Sequence, residues 1–449
     1  MTKVPRNAAV IVLGLALLVR GGTLIVGYGA LRADPDDYRR LAENLVAHGT
    51  LGYGDRPTVF RPPLYPLVLA GCLLLTPGSN LAIAAVHLVL GVATVWLVYW
   101  LGRRWGLGPW AIAAAALVAW DPILLAQSTL VMTETLATFL AVASVAALGW
   151  EGKGDRHLFC GAKKVPVPFS PLCPAAVAGA CLGLAILCRP TFLPFACVAG
   201  VVLPVFLPTW PSRARALAAL AVGLAVVLGP WVARNLDHFG RPIVTTSHGG
   251  YTLLLGNNPQ FYQYLRAGEW GTVWDVRELE RARQQRRSPG LVSELETDRE
   301  AYQEALDSIR REPGMFAYSC VVRVGRLWAV LPHQLSPHEP LLRRLARYGV
   351  GLWYAIELPL AALGLAGWIR RRSGTEYSVL SAAYLLLLAG SFTAVHALYW
   401  TDLRMRSPLM PGVALAATAG VAWLTGVVER RKSLEMNKLH PSDPPRNLP

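Results

Sequence analysis

The sequence predicts an all-α polytopic membrane protein of about ten transmembrane helices, with interfacial helices in its first outer loop and a small outer loop domain. Three observations carry that prediction. The 449 residues are 53% hydrophobic and only 16% charged, with a mean hydropathy of +0.38, whereas soluble domains are roughly 25% charged. The apolar residues come in runs near the roughly 20 residues that span a bilayer. The basic surplus, Lys+Arg 43 against Asp+Glu 28 for a net +15, gathers at the ends of those runs, as the positive-inside rule requires. A cytosolic enzyme and a disordered chain are both excluded. The surplus is therefore read as topology, with a minor share for anionic lipid or phosphate, and no nucleic-acid partner is expected.

The elements follow in order. Lys3 and Arg6 precede an apolar run from about Ala8 to Ala30, too long for a signal-peptide core, so a retained first helix is expected. Further spans are expected at about 81–101, 109–126, 130–150, 175–188, 192–209, 214–232, 350–369, 377–399 and 408–428. The pair 175–188 and 192–209 is short enough to be one broken span. An inside N-terminus puts Arg103/Arg104, the 151–174 loop, Arg213/Arg215, Arg370–Arg372, Arg430–Lys432 and all six lysines on the same side. The expectation is thus a multi-pass protein of the cell membrane with both termini cytoplasmic.

Two outer segments are long, Leu31 to Asn80 and Arg234 to about Gly349. In the first, Pro62–Thr76 is short for a span and reads as an interfacial or re-entrant helix. In the second, 275–311 reads as a charge-dense helical stretch. After it, Met315–Leu331 carries Arg323 and Arg326 in an apolar pattern and reads as a helix lying on the membrane. The expected organisation is an N-terminal module at 1–232 with a catalytic first outer loop at 31–80, an extracytoplasmic region at 233–349, C-terminal spans at 350–432 and a flexible cytoplasmic tail at 433–449.

Candidate chemistry sits at the outer ends of the spans. Asp34, Asp36 and Asp37 lie where the first span leaves the membrane. Asp34 as N-cap, Pro35 at N1 and Asp37 at N3 make a helix start, and a helix from there puts Leu41, Leu45 and Val46 on one face. One of the three is also a candidate general base. Arg61, inside Phe60-Arg-Pro-Pro-Leu-Tyr65-Pro, can meet a phosphate or snorkel. Asp121, before Pro122, is a functional candidate or a turn residue. Glu134, in an otherwise apolar helix, is costly there and so a functional candidate. Arg189, Arg234, Arg404 and Arg406 lie at outer turns, where each alone reads as a snorkelling interface arginine; three such turns converging with adjacent carboxylates also suit bidentate phosphate binding. Arg20, inside the first span, is expected to face the bundle or a polar cavity. The seven cysteines lack CxxC spacing, and His48, His238, His248, His333 and His338 lack ligand spacing, so no structural metal is expected. The Gly- and Asn-rich stretch 245–259 lacks a P-loop lysine and reads as a substrate-shaping loop.

With these residues assembled, the chain resembles the GT-C membrane glycosyltransferases that use polyprenyl-phosphate sugars. Specifically, it resembles the dolichyl-phosphate-mannose–protein mannosyltransferase-like group (family 39-like), which includes the bacterial lipid A aminoarabinose transferases. The resemblance rests on Asp34–Tyr38 with Leu41-Ala-Glu-Asn-Leu, Arg61-Pro-Pro-Leu-Tyr-Pro, Leu101-Gly-Arg-Arg, Thr133-Glu134, Arg189-Pro and Pro230-Trp-Val-Ala-Arg-Asn. Gly249-Gly-Tyr…Gly256-Asn-Asn-Pro and Arg404-Met-Arg-Ser-Pro complete it. It implies a GT-C-like bundle and an inverting transfer on the extracytoplasmic face. An aspartate of the first outer loop would deprotonate the acceptor, and arginines would neutralise the departing polyprenyl phosphate.

The family aspartate maps to the Asp34–Asp37 cluster, with Asp37 favoured and Asp34 next; Glu134 matches the second acidic position. Arg189, Arg234 and Arg404 would contact phosphate or donor, and Arg61, Tyr65, Asn235, Tyr251, Asn257 and Arg406 from the same motifs join them as substrate-binding candidates. The implied partners are a polyprenyl-phosphate sugar, membrane lipids and an acceptor in the cell envelope. No cofactor is firm, though a divalent cation is compatible. The outer loop of about 115 residues holds no recognisable acceptor-binding domain, which departs from the family's protein-modifying members. The competing reading is a transporter or flippase of a lipid-linked or anionic substrate, which would favour inverted repeats that the sequence lacks.

Overall fold

The computed structural model describes residues 7–149, 172–207, 209–268, 274–286, 293–334, 338–370 and 376–439. Most of the expected 151–174 loop, Arg371 and Arg372, and the tail after residue 439 lie outside them. Each apolar run read from the sequence coincides with a helix or a bent helix pair. These are α1 (Ala8–Val26), α4 (Leu81–Arg104), α5 (Trp110–Trp120) with α6 (Pro122–Ser128), α7 (Glu134–Leu148), α8 (Leu172–Cys188), α9 (Phe192–Val202), α10 (Trp210–Phe239), α16 (Leu341–Arg370), α17 (Glu376–Leu398) and α18 (Met410–Leu439). Among the described residues, five helices are long and apolar enough to cross a membrane, or six with α5 and α6 taken as one span bent by 47°. Glu134–Leu148, Pro174–Cys188, Phe192–Val205 and the Ala383–Leu398 part of α17 are apolar but shorter. The two short runs form two helices, α8 and α9, separated at Arg189–Thr191.

The bend between α5 and α6 has a local cause. Pro122 cannot continue a helix from α5, and Asp121 caps the new start by accepting from Leu124 N at 2.8 Å. The same carboxylate accepts the buried Tyr354 hydroxyl at 3.0 Å, so the turn reading of Asp121 holds, with α16 as its anchor. Arg20 is buried and donates to Val118 O at 2.7 Å, which gives the first span its inward charge a fixed partner.

One apolar core joins α1, α4, α5, α7, α8, α9 and α17 with the start of α18. Where two helices run closest, glycine removes the side chain that would hold them apart. A Cβ on Gly179 or Gly223 would overlap the backbone of the facing helix in the α8–α10 pair, and one on Gly364 or Gly420 would do so in the α16–α18 pair. Small residues at such crossings let helix backbones approach in a membrane, where packing rather than the hydrophobic effect drives association.

The first loop begins with a short 3-10 turn, Tyr28–Arg32, and continues as α2 (Tyr38–His48), a two-stranded hairpin of β1 (Gly52–Tyr53) and β2 (Arg56–Pro57), and α3 (Leu64–Leu75). α2 starts at Tyr38, later than an Asp34 cap would place it. Asp34 still serves that start, because its Oδ2 accepts from Arg40 N at 3.0 Å. The buried face of α2 is Tyr38, Leu41 and Ala42, with Leu45 beside it, while Val46 is exposed on another side.

The second long loop folds into α11 (Gly249–Gly256), α12 (Pro259–Ala267), α13 (Arg277–Arg286) and α14 (Glu294–Arg311), around a separate small core that includes Leu254, Phe261, Tyr262, Trp274 and Ala301. The charge-dense stretch is thus two helices, the second opened by a Ser293/Glu296 capping box. α15 (Pro313–Leu327) follows. Its arginines do not reach toward a lipid surface: Arg323 is fully buried and donates to Ala397 O at 2.8 Å and to Gly256 O. Arg326 lies over the Phe261 ring at 5.5 Å. Arg323 pins α15 to the loop and to the end of α17, and Arg326 to the loop core, because a buried guanidinium needs carbonyl or ring partners.

Glu294 ties the two loops together. Its carboxylate accepts Thr58 Oγ1 at 2.6 Å, Val59 N at 3.1 Å and the Ser247 hydroxyl. Arg234, at the end of α10, closes the same junction by donating to Thr58 O and Leu51 O, each at 2.9 Å.

Candidate active site

Five charged side chains from separated parts of the chain meet where the first loop, α7, the α8–α9 turn and the approach to α18 come together. Asp37 is the one non-glycine residue with positive φ among those described, at φ 60. Asp tolerates this left-handed region better than most residues. Asp37 occupies the N-cap position of α2, is exposed, and makes no side-chain cap bond. Its neighbour Asp36 is drawn instead into an ion pair, Oδ1 to Arg61 Nη2 at 3.1 Å.

Arg61 stands on the bend just before two prolines that lead into α3. Its guanidinium lies 5.6 Å from the Tyr38 ring centre and 5.3 Å from that of Phe60. Arg404 then links the first loop to the bundle. Its Nη2 is 3.9 Å from Asp36 Oδ2, and its Nε is 3.8 Å from Glu134 Oε1 and 3.1 Å from Asp402 Oδ2. Asp402 also starts the 3-10 helix Leu403–Leu409 by accepting from Arg404 N at 3.0 Å. Glu134, the first residue of α7 and 1% exposed, completes the chain with Arg189 Nη1 at 3.2 Å. Arg189 also donates to Met405 Sδ at 2.7 Å. Acid and base alternate: Arg61, Asp36, Arg404, Glu134, Arg189.

Several buried polar atoms here lack a protein hydrogen-bond partner, among them Glu134 Oε2, Arg61 Nε and His248 Nδ1. His248 Nε2 lies 3.3 Å from Arg61 Nη1. Burial first, and Arg61 second, push His248 down to about 3, so the ring is neutral. Facing a guanidinium, Nε2 accepts, and the proton is assigned to Nδ1. The site therefore holds an unused N–H donor beside an arginine.

The remaining candidates are elsewhere. Tyr65 lies beneath the cluster, packed edge-on to Tyr38 at 5.4 Å, with its hydroxyl 3.0 Å from His87 Nε2. Arg234 serves the loop junction, and Asn235 donates to Ile243 O at 2.9 Å. Asn257 is fully buried and donates to Leu253 O and Leu398 O. Arg406 is fully buried over the Tyr354 ring at 4.2 Å and donates to Ala329 O at 2.6 Å. Tyr251 is on the rim, its hydroxyl on Glu280 Oε1 at 2.7 Å and its ring 5.4 Å from His248. Neither Asp402 nor His248 is among the site candidates read from the sequence, where His248 enters only as a histidine without ligand spacing. Asp402 stands two residues before Arg404, a readable pairing signal. His248 has no such signal, since its meeting with Arg61 joins two separate loops.

A divalent cation would need several carboxylate or imidazole ligands around one point. Among the described residues no three His, Cys, Asp or Glu side chains gather in that way, and Asp36 and Glu134 both face arginine. As arranged, these residues do not fit a resident metal. They do fit an anion of the phosphate class, which arginine forks bind through paired N–H groups.

Residues 61–236 match the family model of dolichyl-phosphate-mannose-protein mannosyltransferases. Among solved structures, the chain superposes on AglB, an oligosaccharyltransferase of Archaeoglobus fulgidus in complex with an inhibitory peptide and a dolichol-phosphate. The TM-score is 0.50 at 16% identity, covering 97% of this chain and 52% of that one. The chain shares that fold, a GT-C-like bundle of membrane helices. A second structure of the Archaeoglobus enzyme, tethered to an acceptor peptide, gives a TM-score of 0.52 at 15% identity, covering 96% and 51%. ArnT from Cupriavidus metallidurans bound to undecaprenyl phosphate gives 0.37 at 16% identity, covering 91% and 78%. A comparison with curated proteins gives no match. The GT-C fold here spans about half the length of the archaeal chains it matches.

Proposed function

We propose that this GT-C protein transfers a sugar from a polyprenyl-phosphate-linked donor to an extracytoplasmic acceptor, with Asp36 as the base. The observation that carries the reading is the bridge by Arg404 between Asp36 and Glu134. A proton acceptor and phosphate-binding groups are thereby joined in one cluster at the ends of the spans. In the proposed step the acceptor's O–H or N–H gives its proton to the Asp36 carboxylate, and the freed lone pair attacks the anomeric carbon. The bond from that carbon to the phosphate oxygen breaks, and the polyprenyl phosphate leaves with the electron pair. A single displacement inverts the anomeric configuration.

Arg404, Arg189 and Arg61 would meet the charge that develops on the leaving phosphate, where fixed donors are worth most. Glu134 would hold Arg404 and Arg189 in place. Of the three loop aspartates, Asp36 is supported over the sequence-favoured Asp37 because it alone pairs with the arginines. The neutral His248 would offer its Nδ1–H to the donor. A carrier lipid with its tail in the bilayer suits a site at membrane depth, and both termini are then cytoplasmic.

The test is transfer of labelled sugar from a polyprenyl-phosphate donor to a membrane extract by the purified protein. Asp36→Asn is expected to lower the rate by about a hundredfold or more, the range of a general base, while Asp37→Asn stays near wild type. Full turnover in both Asp36→Asn and Glu134→Gln would show that the site is elsewhere. Failure of the folded wild type to consume any polyprenyl-linked donor would sink the enzyme reading.

A further inference from the structure

A cleft of about 640 Å³ opens beside α2, lined in part by Tyr28, Arg32, Arg39, Glu43, Ser79 and Asn80. It shares no residue with the ion-pair cluster. The helix geometry accounts for the separation: Tyr38, Leu41 and Ala42 face inward, whereas Arg39, Glu43 and Val46, four and three residues apart, line the cleft on a flank of α2.

The floor of the cleft is built for an anion. Arg39 is fixed in place by donating from Nη2 to Leu31 O at 2.6 Å and to Asn80 Oδ1 at 2.8 Å, while its buried Nε has no protein partner. Arg32, at the end of the 3-10 turn, is exposed beside it. The Tyr28 and Ser79 hydroxyls, 3.2 Å apart, add polar contacts. The surroundings are apolar and unpacked. Val26 at the end of α1 is 91% exposed, Leu75 at the end of α3 77%, and Leu81 at the start of α4 61%. Exposed apolar ends of membrane helices around a basic floor match a ligand with a charged head and hydrocarbon tails.

The geometry points to a binding site for an anionic glycerophospholipid of the surrounding bilayer, its phosphodiester against Arg32 and Arg39 and its acyl chains over the ends of α1, α3 and α4. Two arginines against the single carboxylate of Glu43 leave one net positive charge, which matches the single negative charge of a phosphodiester. Glu43 disfavours a second negative charge, so a phosphomonoester such as a polyprenyl phosphate fits less well. The site is independent of the transfer reaction proposed above.

The full-length protein in a nonionic detergent is titrated with phosphatidylglycerol, phosphatidylcholine or inorganic phosphate, and its thermal unfolding midpoint is followed. Phosphatidylglycerol is expected to raise the midpoint, and the other two to leave it nearly unchanged. Arg32→Gln should weaken the apparent affinity for phosphatidylglycerol roughly fivefold, the effect of one arginine at a lipid surface. Val46→Asp, at an exposed position, should weaken it as well; both variants retain the wild-type midpoint without lipid. An equal response to phosphatidylcholine would mean that charge does not select the occupant, and an equal response to phosphate that no lipid is needed; either overturns the assignment. So does an unchanged lipid response in both variants.

Discussion

Asp36 and Asp37 are chain neighbours with the same side-chain group, yet their surroundings differ completely. The left-handed backbone at Asp37 leaves its carboxylate exposed, while Asp36 lies between Arg61 and Arg404. Arg61→Lys is therefore expected to be far from conservative. A lysine keeps the charge but loses the fork that engages Asp36 and His248 together, so transfer should fall at least tenfold with the fold intact, read from rate and thermal midpoint side by side. Wild-type rates in Arg61→Lys would remove Arg61 from the machinery.

His248 supplies a second test at this scale. Its folded-state value is pushed down to about 3, against about 6.5 for an unfolded histidine. Between those values the unfolded chain binds a proton that the folded chain does not. The contribution of neutral His248 to stability is then present above about pH 6.5 and is lost as pH falls toward 3, at no more than about 1.4 kcal/mol per pH unit. His248→Gln should flatten the fall in thermal midpoint between about pH 7 and pH 4; parallel curves for the two proteins would contradict the assignment. Which aspartate faces the arginines was not readable from four consecutive residues, because a single backbone φ decides it. That Arg and acid would gather at span ends was readable, since charge at membrane depth is costly and is kept for a use.

At the scale of elements, the sequence located the helices well and their partners poorly. Apolar runs report length and burial, so each expected span has its helix. Nothing in those runs says that α8 lies along α10 or α16 along α18, and the glycines that permit it look unremarkable in sequence. Gly179→Leu and Gly223→Leu should each push α8 from α10 and cost about 1–3 kcal/mol as overpacking does, seen as a lower thermal midpoint in detergent. Gly14, whose added Cβ would meet nothing, is the control, and equal losses at Gly14 and Gly179 would discount the crossing. α15 shows the opposite failure. Its amphipathic pattern suggested a membrane surface, but pattern alone does not distinguish lipid headgroups from the carbonyls and aromatic rings that Arg323 and Arg326 meet. Glu294 was likewise invisible as a junction, since its donors Thr58 and Val59 lie in the other long loop, 236 and 235 residues away in the chain. Glu294→Ala strands the donors of Thr58 and Val59, at a cost of about 1–3 kcal/mol, and faster proteolysis in the 51–59 segment should accompany it.

For the whole molecule, hydropathy and charge placement carried the fold class and left the site's interior open. The proposed orientation has a direct check: a reporter fused after Arg104 should give a cytoplasmic signal, and one inserted after Gly240 an external one. The reverse pattern would put the ion-pair cluster on the wrong side for an extracytoplasmic acceptor. The alternation of charge in that cluster has a consequence for idle turnover. Three arginines stand against Asp36, Glu134 and Asp402, so the resting site is its own counter-ion. While Arg61 and Arg404 engage Asp36, both carboxylate oxygens are turned to guanidinium groups. On the proposed reading, an arriving phosphate draws the arginines toward itself and frees the Asp36 oxygens to meet the acceptor. Donor arrival and base activation become one event, and water that enters the empty site meets a catalyst held in its safe state.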